Sequence, residues 1–213
     1  MSLPGIFKDR TEAGKKLVRL LSEFKGTKTI VLALPRGGVV VGAEVAHALS
    51  LPLDIIVTRK IGAPGNSEYA IGAIDIEGNG VFNEAEIANV DKKWLENEVA
   101  KEKKEAERRW KEYRGKRGPL DLTNKTVIIV DDGIATGMTM KAAIRYAKKL
   151  GAQKIIVVAP VASLSTLAEF KQEVEVRTLE NPELFFAVGQ FYEDFPQVAD
   201  KEVITILQKA PVA

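Results

Sequence analysis

The sequence contains no cysteine, and this absence excludes several classes of site at once. Disulfide frameworks, cysteine nucleophiles and thiolate-bound zinc or iron–sulfur centres all require a residue that the chain lacks. Histidine occurs once, at His47, where it lies among apolar residues of a predicted helix and is interpreted as a packed residue. Any metal ion must therefore be held by oxygen ligands.

The sequence also lacks a long apolar run and a basic N-terminal segment followed by an apolar one. We therefore expect a cytoplasmic protein with no membrane partner. Acidic and basic residues nearly cancel, leaving a formal charge of +2 at pH 7, which does not favour nucleic acid as a partner. With 213 residues, 46% of them hydrophobic, the chain can bury a sizeable core as one domain.

Strand and helix patterns alternate along the chain. Short apolar runs rich in β-branched residues indicate buried strands, and apolar residues at helical spacing indicate helices between them. The predicted elements are a helix from Asp9 to about Gly26, strands at 29–34, 53–58, 126–130, 154–158 and 174–179, helices at 41–49 and 139–150, and a hairpin at 71–76 and 80–82. This order predicts an α/β fold with a mainly parallel sheet and helices on both faces.

The segment 61–119 departs from this alternation. Residues 61–67 are rich in turn-forming glycine, proline and asparagine, so a flexible loop is predicted there. Asn83 and Glu86 have the spacing of a capping box and open a long helix rich in lysine and glutamate, with a broken apolar stripe. The charged surface of this helix is interpreted either as solvated or as the contact surface of a homodimer.

The strongest functional signal is the segment from Val130 to Thr139, with the sequence VDDGIATGMT. An apolar strand runs into Asp131 and Asp132 and then into a turn that opens a helix. Unpaired N–H groups and the positive dipole end at a helix N-terminus attract an anion. Aspartates at the rim of the turn can accept hydrogen bonds from sugar hydroxyls. The segment therefore predicts a site for a phosphorylated sugar, with capping of the strand end by aspartates as the structural alternative.

The turn matches neither a Walker A loop nor a dinucleotide-binding fingerprint. Its strand, two acidic residues and Thr-Gly before a helix resemble instead the 5-phosphoribosyl-1-pyrophosphate (PRPP) signature of type I phosphoribosyltransferases. The resemblance implies that Asp131 and Asp132 are catalytic, bind the ribose hydroxyls and contact magnesium indirectly, through those hydroxyls or water. It also implies that the PRPP 5-phosphate is bound by Ile134, Ala135, Thr136, Gly137, Met138 and Thr139.

Two further loops carry the resemblance. Arg36, Gly37 and Gly38 resemble the pyrophosphate-binding loop, in which Arg36 would act as a catalytic residue that pairs with phosphate oxygens. Arg59 and Lys60, with the loop after them, resemble the flexible loop that closes over pyrophosphate in several relatives. An ordinary turn and a solvated basic pair are the respective alternatives.

Residues 180–197 resemble the hood with which purine relatives cover the base. Phe186 is predicted to stack on the base and Val188 to contact it, with packing of these side chains in the core as the alternative. Two departures leave the acceptor open. Hypoxanthine–guanine relatives carry an aspartate where this chain has Ala135, and no lysine of the hood is placed to contact a purine 6-oxo group.

The resemblance implies one type I phosphoribosyltransferase-like domain over residues 1–213, with the insertion at 61–119 and the small hood at 180–197. The implied activity is that of a glycosyltransferase of nucleotide metabolism: transfer of the phosphoribosyl group of PRPP, with Mg²⁺, to a nucleobase-like molecule, and release of pyrophosphate. A non-catalytic PRPP-sensing regulator of the same fold is the rival hypothesis. A regulator would need a basic face for nucleic acid, and the mixed Lys/Glu pattern of residues 92–112 is a poor one.

Overall fold

A computed structural model of the chain describes residues 6–212, except for the side chain of Glu68, so the ends of the predicted domain lie outside the described residues. The strands are β1 (Thr29–Ala33), β2 (Leu53–Ile55), β3 (Arg59–Ala63), β4 (Asn66–Ile74), β5 (Gly80–Phe82), β6 (Thr126–Val130), β7 (Lys154–Val161) and β8 (Glu175–Glu180). The helices are α1 (Arg10–Leu17), α2 (Gly37–Leu49), α3 (Glu84–Ile87), α4 (Lys92–Arg114), α5 (Met138–Lys149), α6 (Leu164–Phe170) and α7 (Asp200–Lys209).

Five parallel strands form the central sheet in the order β2-β1-β6-β7-β8, which confirms the predicted α/β fold. Successive residues of a strand point to opposite faces, so an apolar strand needs cover on both. Val31 and Ile128 lie in the core on one face with α1, α2 and α7. Ile30 and Ile129 lie in the core on the other face with α5 and α6.

A second, antiparallel sheet of β3, β4 and β5 corrects the prediction of a loop at residues 61–67. Those residues form the turn end of the β3–β4 hairpin, whose turn is Pro64–Gly65. Turn-forming residues cannot by themselves distinguish a long loop from a tight turn between strands. Here the flanks of the turn are strands, because Ile61 and Ile71 are buried beneath the apolar stripe of α4, which includes Trp94. The predicted hairpin at 71–76 and 80–82 is confirmed, although its first strand, β4, spans Asn66–Ile74.

Several element boundaries also differ from the predictions. The first helix is capped by Asp9 as expected but ends at Leu17 and continues as short 3-10 turns. Asn83 caps only the short α3, whereas Asp91 caps α4 by accepting a hydrogen bond of 2.8 Å from the backbone N of Trp94. The second parallel strand ends at Ile55, and Arg59 and Lys60 begin β3. No pattern had indicated α6 or α7. His47 is exposed on α2 rather than packed.

A buried ion pair anchors the long helix α4 to the edge of the central sheet. Arg114 donates from Nε and Nη2 to the two carboxylate oxygens of Asp54, at 2.8 Å each. The Arg114 and Asp54 side chains are 6% and 1% exposed. The guanidinium also lies over the Trp110 ring, 4.2 Å from its centroid. In the described part of the chain, no helix combines the length and apolar character needed to cross a membrane.

We expect Asp54→Ala to lower the free energy of unfolding by about 3–5 kcal/mol, because it leaves the buried Arg114 charge without its carboxylate. Urea denaturation measures this change. Glu98→Gln provides the matched control, since it breaks the exposed pair between Glu98 and Lys101 and should cost less than about 1 kcal/mol. Equal costs for the two variants would show that the Asp54–Arg114 pair does not anchor α4.

Candidate active site

The candidate site lies where the chain reverses the direction in which it builds the sheet. From β1 the chain proceeds outward to β2, whereas from β6 it proceeds in the opposite direction to β7 and β8. Ligands of open parallel sheets bind beyond the carboxyl ends of the strands at such a point. The loop 35–38 follows β1 and the loop 131–137 follows β6. The structure therefore brings together the two loops that the sequence singled out.

Glycines let these two loops touch. A Cβ atom on Gly37 would overlap the Asp132 carboxylate, and one on Gly38 would lie 2.8 Å from the backbone O of Val130. Larger residues at either position would push the loops apart. The Pro35–Arg36 peptide bond at the start of this contact is cis.

The turn before α5 is held from below by α6. Gly137, the N-cap residue of α5, has a left-handed φ of 72°, and its α carbon faces Thr166 and Phe170. The carbonyl of Ala135 accepts hydrogen bonds from Ser163 Oγ at 2.9 Å and Thr166 Oγ1 at 2.6 Å. These contacts fix the backbone of the turn, whose N–H groups at the start of α5 have no partner within the helix.

A pocket of about 150 Å³ lies over this turn. Asp131 and Lys60 contribute the charged side chains of its wall. The other lining residues are Ala70, Val188 and the run from Gly133 to Met140. All six residues predicted to bind the 5-phosphate thus line one pocket, together with Asp131, Lys60 and Val188. Such a combination of helix N-terminus, cation and carboxylate can bind a phosphorylated, hydroxyl-bearing ligand.

The two adjacent aspartates have different surroundings. Asp132 Oδ2 accepts a hydrogen bond of 2.7 Å from Nε of the buried Arg10. Arg10 also donates to the backbone O of Pro196 at 2.7 Å and lies 3.6 Å from the centroid of the Phe195 ring. Asp131 faces the pocket instead, and burial together with the charge of Asp132 raises its pKa well above the usual range. Asp131 is therefore the aspartate that a pocket ligand meets.

The three predicted pyrophosphate-binding cations do not all lie together. Lys60 lines the pocket, whereas Arg59 donates to Glu102 of α4 at 2.7 Å. Arg36 is the N-cap residue of α2, and its Nη1 lies 3.4 Å from Oδ1 of Asp200. Arg36 and Lys60 thus stand near the two loops, while Arg59 ties β3 to the long helix.

The predicted hood residues occupy two adjoining spaces. Val188 lines the small pocket and packs so closely on Gly133 that a Cβ there would overlap it. Phe186 is 83% exposed and lines a neighbouring cleft of about 700 Å³, which shares Ala135, Thr136 and Met138 with the pocket. Phe186 is therefore not a core residue.

A metal ion at this site would have few protein ligands. Among residues 6–212, no group of three or more histidine, aspartate or glutamate side chains is placed to hold one. The site fits Mg²⁺ as it is bound in many phosphate sites, with one carboxylate and oxygens of the substrate and water, and Asp131 is the carboxylate on the pocket wall.

Three residues that the sequence reasoning missed complete the site: Arg10, Tyr192 and Asp200. Arg10 pairs with Asp132, Tyr192 donates its hydroxyl to the backbone O of Asp132 at 2.6 Å, and Asp200 pairs with Arg36. Of the three, only Tyr192 could have been suspected from the sequence, because it lies in the aromatic hood segment. Arg10 follows the helix cap Asp9 and resembles any surface arginine in the sequence.

The fold and the site together define a phosphoribosyl transferase domain. The model of the family "Phosphoribosyl transferase domain" matches residues 4–196, and the chain belongs to this family.

Similar proteins come from several organisms. A Mycobacterium tuberculosis protein named "Putative phosphoribosyl transferase" is 41% identical over 208 residues, which are 96% of this chain and 47% of that protein. The chain thus spans about half the length of the curated relatives it matches.

Solved structures show the same fold. TT1426 from Thermus thermophilus superposes with a TM-score of 0.80 at 38% identity, over 96% of this chain and 99% of that one. A purine phosphoribosyltransferase from Pyrococcus horikoshii gives a TM-score of 0.50 at 19% identity, over 92% of this chain and 99% of that one, and shares the fold.

The contrast between the two aspartates predicts opposite effects on stability. When folding raises the pKa of an acid, the free energy of unfolding falls as the pH rises. The fall begins near the pKa of the group in the unfolded chain, about 3.9, and is complete above its pKa in the folded protein. Asp131→Asn should therefore raise the free energy of unfolding at pH 7, and its advantage should disappear below about pH 4. Asp132→Asn should lower it by about 1–3 kcal/mol, because Arg10 loses its partner.

Urea denaturation at several pH values measures both effects. A loss of stability in Asp131→Asn at pH 7 would contradict the assignment of Asp131 as the carboxyl group with the raised pKa. Equal effects of the two substitutions would contradict the distinction between their surroundings.

Proposed function

We propose that this protein transfers the 5-phosphoribosyl group of PRPP to a nitrogen of a nucleobase-like acceptor and releases pyrophosphate. The observation that carries the proposal is the pocket over the turn before α5, which Asp131 and Lys60 line. The close approach of Gly37 and Gly38 brings the loop after β1 into contact with the same motif loop. Membership of the phosphoribosyl transferase domain family supports it.

PRPP would bind with its 5-phosphate on the N–H groups at the start of α5 and with a ribose hydroxyl donating to Asp131. Arg36 and Lys60 would neutralise the pyrophosphate on C1. In the reaction the C1–O bond breaks and its electron pair leaves with pyrophosphate, while a lone pair of the acceptor nitrogen forms the new C1–N bond. The proton that this nitrogen carried is released to water or to the departing pyrophosphate. Magnesium, when bound, would supply further positive charge to the pyrophosphate oxygens, with Asp131 contacting it through a ribose hydroxyl or water. The protein's contribution is to align the two reactants and stabilise the leaving group.

The acceptor would lie in the cleft beside Phe186. An exposed ring on its wall can stack on a flat heterocycle, and Val188 lines the adjoining pocket together with Asp131. Lys141 is the lysine on the cleft wall, and it pairs with Glu169 at 2.6 Å. Lys141 belongs to α5 and not to the hood.

A pyrophosphate-release assay with PRPP, Mg²⁺ and a panel of bases tests the proposal. We expect pyrophosphate to be released with at least one base and a nucleotide to be formed in equal amount. Tight binding of PRPP without release with any base would favour the sensor hypothesis. Absence of PRPP binding would contradict both.

We expect Arg36→Ala to weaken the binding of PRPP about tenfold to a hundredfold, since a charge-assisted hydrogen bond contributes about 1.5–3 kcal/mol. A nucleoside 5′-monophosphate carries no pyrophosphate on C1, so its affinity should change little. Calorimetry with Mg²⁺ measures both affinities, and Arg19→Ala, at an exposed arginine, is the control. Equal losses for the two ligands would remove Arg36 from the pyrophosphate site.

We expect Phe186→Ala to raise the Michaelis constant of the best base, because the ring no longer stacks on it. The lost stacking corresponds to about 1–3 kcal/mol of binding free energy. Thermal stability should hardly change, since the ring is 83% exposed. Leu184→Ala is the matched control: its side chain belongs to the same segment and is 68% exposed but lines neither the cleft nor the pocket, so this variant should change neither the Michaelis constant nor the stability. An unchanged Michaelis constant in Phe186→Ala would show that this ring does not contact the acceptor.

A further inference from the structure

Arg36 has a carboxylate partner within the protein. Its Nη1 atom lies 3.4 Å from Oδ1 of Asp200, and the two side chains are 24% and 29% exposed. Asp200 is the first residue of α7, an element far from the PRPP motif in sequence. The cation proposed to bind pyrophosphate is thus already in contact with an anion of the protein.

Asp200 is held more firmly by Tyr113 than by Arg36. The hydroxyl of Tyr113 donates to Asp200 Oδ1 at 2.6 Å, and Arg108 Nη2 lies 3.3 Å from Oδ2. Both partners belong to α4. The Tyr113 hydrogen bond, and then the bond from Arg108, lower the pKa of Asp200, so its carboxylate is ionised at neutral pH. Charge-assisted hydrogen bonds are usually about 2.7–2.9 Å long, so the contacts of Asp200 with Arg36 and Arg108 are both loose, and the Tyr113 hydrogen bond is the firm one.

Because Asp200 has these other partners, Arg36 can move away without leaving the Asp200 carboxylate unpaired. If the guanidinium turns towards a ligand, Asp200 keeps its Tyr113 and Arg108 partners. A pyrophosphate offers several oxygens that can accept two parallel hydrogen bonds from one guanidinium, which Asp200 does not do here. A bound pyrophosphate would then be near a like-charged carboxylate, which weakens its binding.

We propose that Asp200 is a positioning residue that contacts the Arg36 guanidinium and competes with pyrophosphate for it. The proposal rests on the proposed function, because it takes Arg36 as the pyrophosphate-binding cation. Its consequence is that Asp200 limits the affinity for pyrophosphate and thereby favours release of this product.

The test is Asp200→Asn, which removes the charge and keeps an oxygen for the Tyr113 hydroxyl. Calorimetry with Mg²⁺ compares inorganic pyrophosphate with ribose 5-phosphate, which lacks pyrophosphate. We expect pyrophosphate to bind about two- to fivefold tighter to the variant, the range that corresponds to one partly exposed ion pair. The affinity for ribose 5-phosphate should not change. In an Arg36→Ala background, Asp200→Asn should give no gain, because the competition no longer exists.

Two controls separate competition from other causes. Glu202→Gln removes an exposed carboxylate from the same turn of α7, and Tyr113→Phe loosens the α4–α7 contact while leaving the Asp200 charge in place. Neither variant should tighten pyrophosphate binding. Equal tightening in either control, or in the Arg36→Ala background, would overturn the proposal.

Two further outcomes would also overturn it: unchanged affinity in Asp200→Asn, or weaker binding of pyrophosphate. The failure of the proposed function is distinguishable, since in that case the unmodified protein would bind neither pyrophosphate nor ribose 5-phosphate. If it binds both and Asp200→Asn behaves like the unmodified protein, only the role of Asp200 is wrong.

Discussion

Two adjacent carboxylates at the end of the central strand β6 share one partly buried site, and the ion pair between Arg10 and Asp132 makes this arrangement possible. The positive charge of Arg10 offsets part of the repulsion between the two carboxylates. Arg10 also contacts Pro196 and Phe195, so the same side chain joins the N-terminal helix, the motif loop and the hood. Asp131 is left to face the pocket.

In the motif, Asp131 serves the proposed binding site but lowers the stability of the fold. Asp131 has a raised pKa, because it is buried beside another carboxylate, and its replacement should stabilise the fold. Hydrogen bonds from neighbouring segments hold the backbone around Asp131. Ser163 and Thr166 hold the Ala135 carbonyl, and Tyr192 holds the carbonyl of Asp132. A preorganised turn of this kind can bind a phosphate without a large ordering cost.

Local sequence patterns predicted the parts of the fold and site that depend on local chemistry. The β-branched runs gave the central strands, and the order of strand, acidic pair, turn and helix gave the pocket over residues 133–139. Contacts between distant segments could not be read in this way. Arg10 and Asp132 are separated by 122 residues, and Arg36 and Asp200 by 164. The turn residues at 61–67 were equally ambiguous, because burial under α4, which no local pattern records, makes their flanks strands.

The central claim is that the pocket of Asp131 binds PRPP, and calorimetric titration with PRPP and Mg²⁺ tests it most directly. The account predicts saturable binding to the unmodified protein. It also predicts a loss of about tenfold or more in Asp131→Asn, which keeps its fold but loses a charge-assisted hydrogen bond to the ribose. Absence of binding to the unmodified protein, or unchanged affinity in folded Asp131→Asn, would contradict the account.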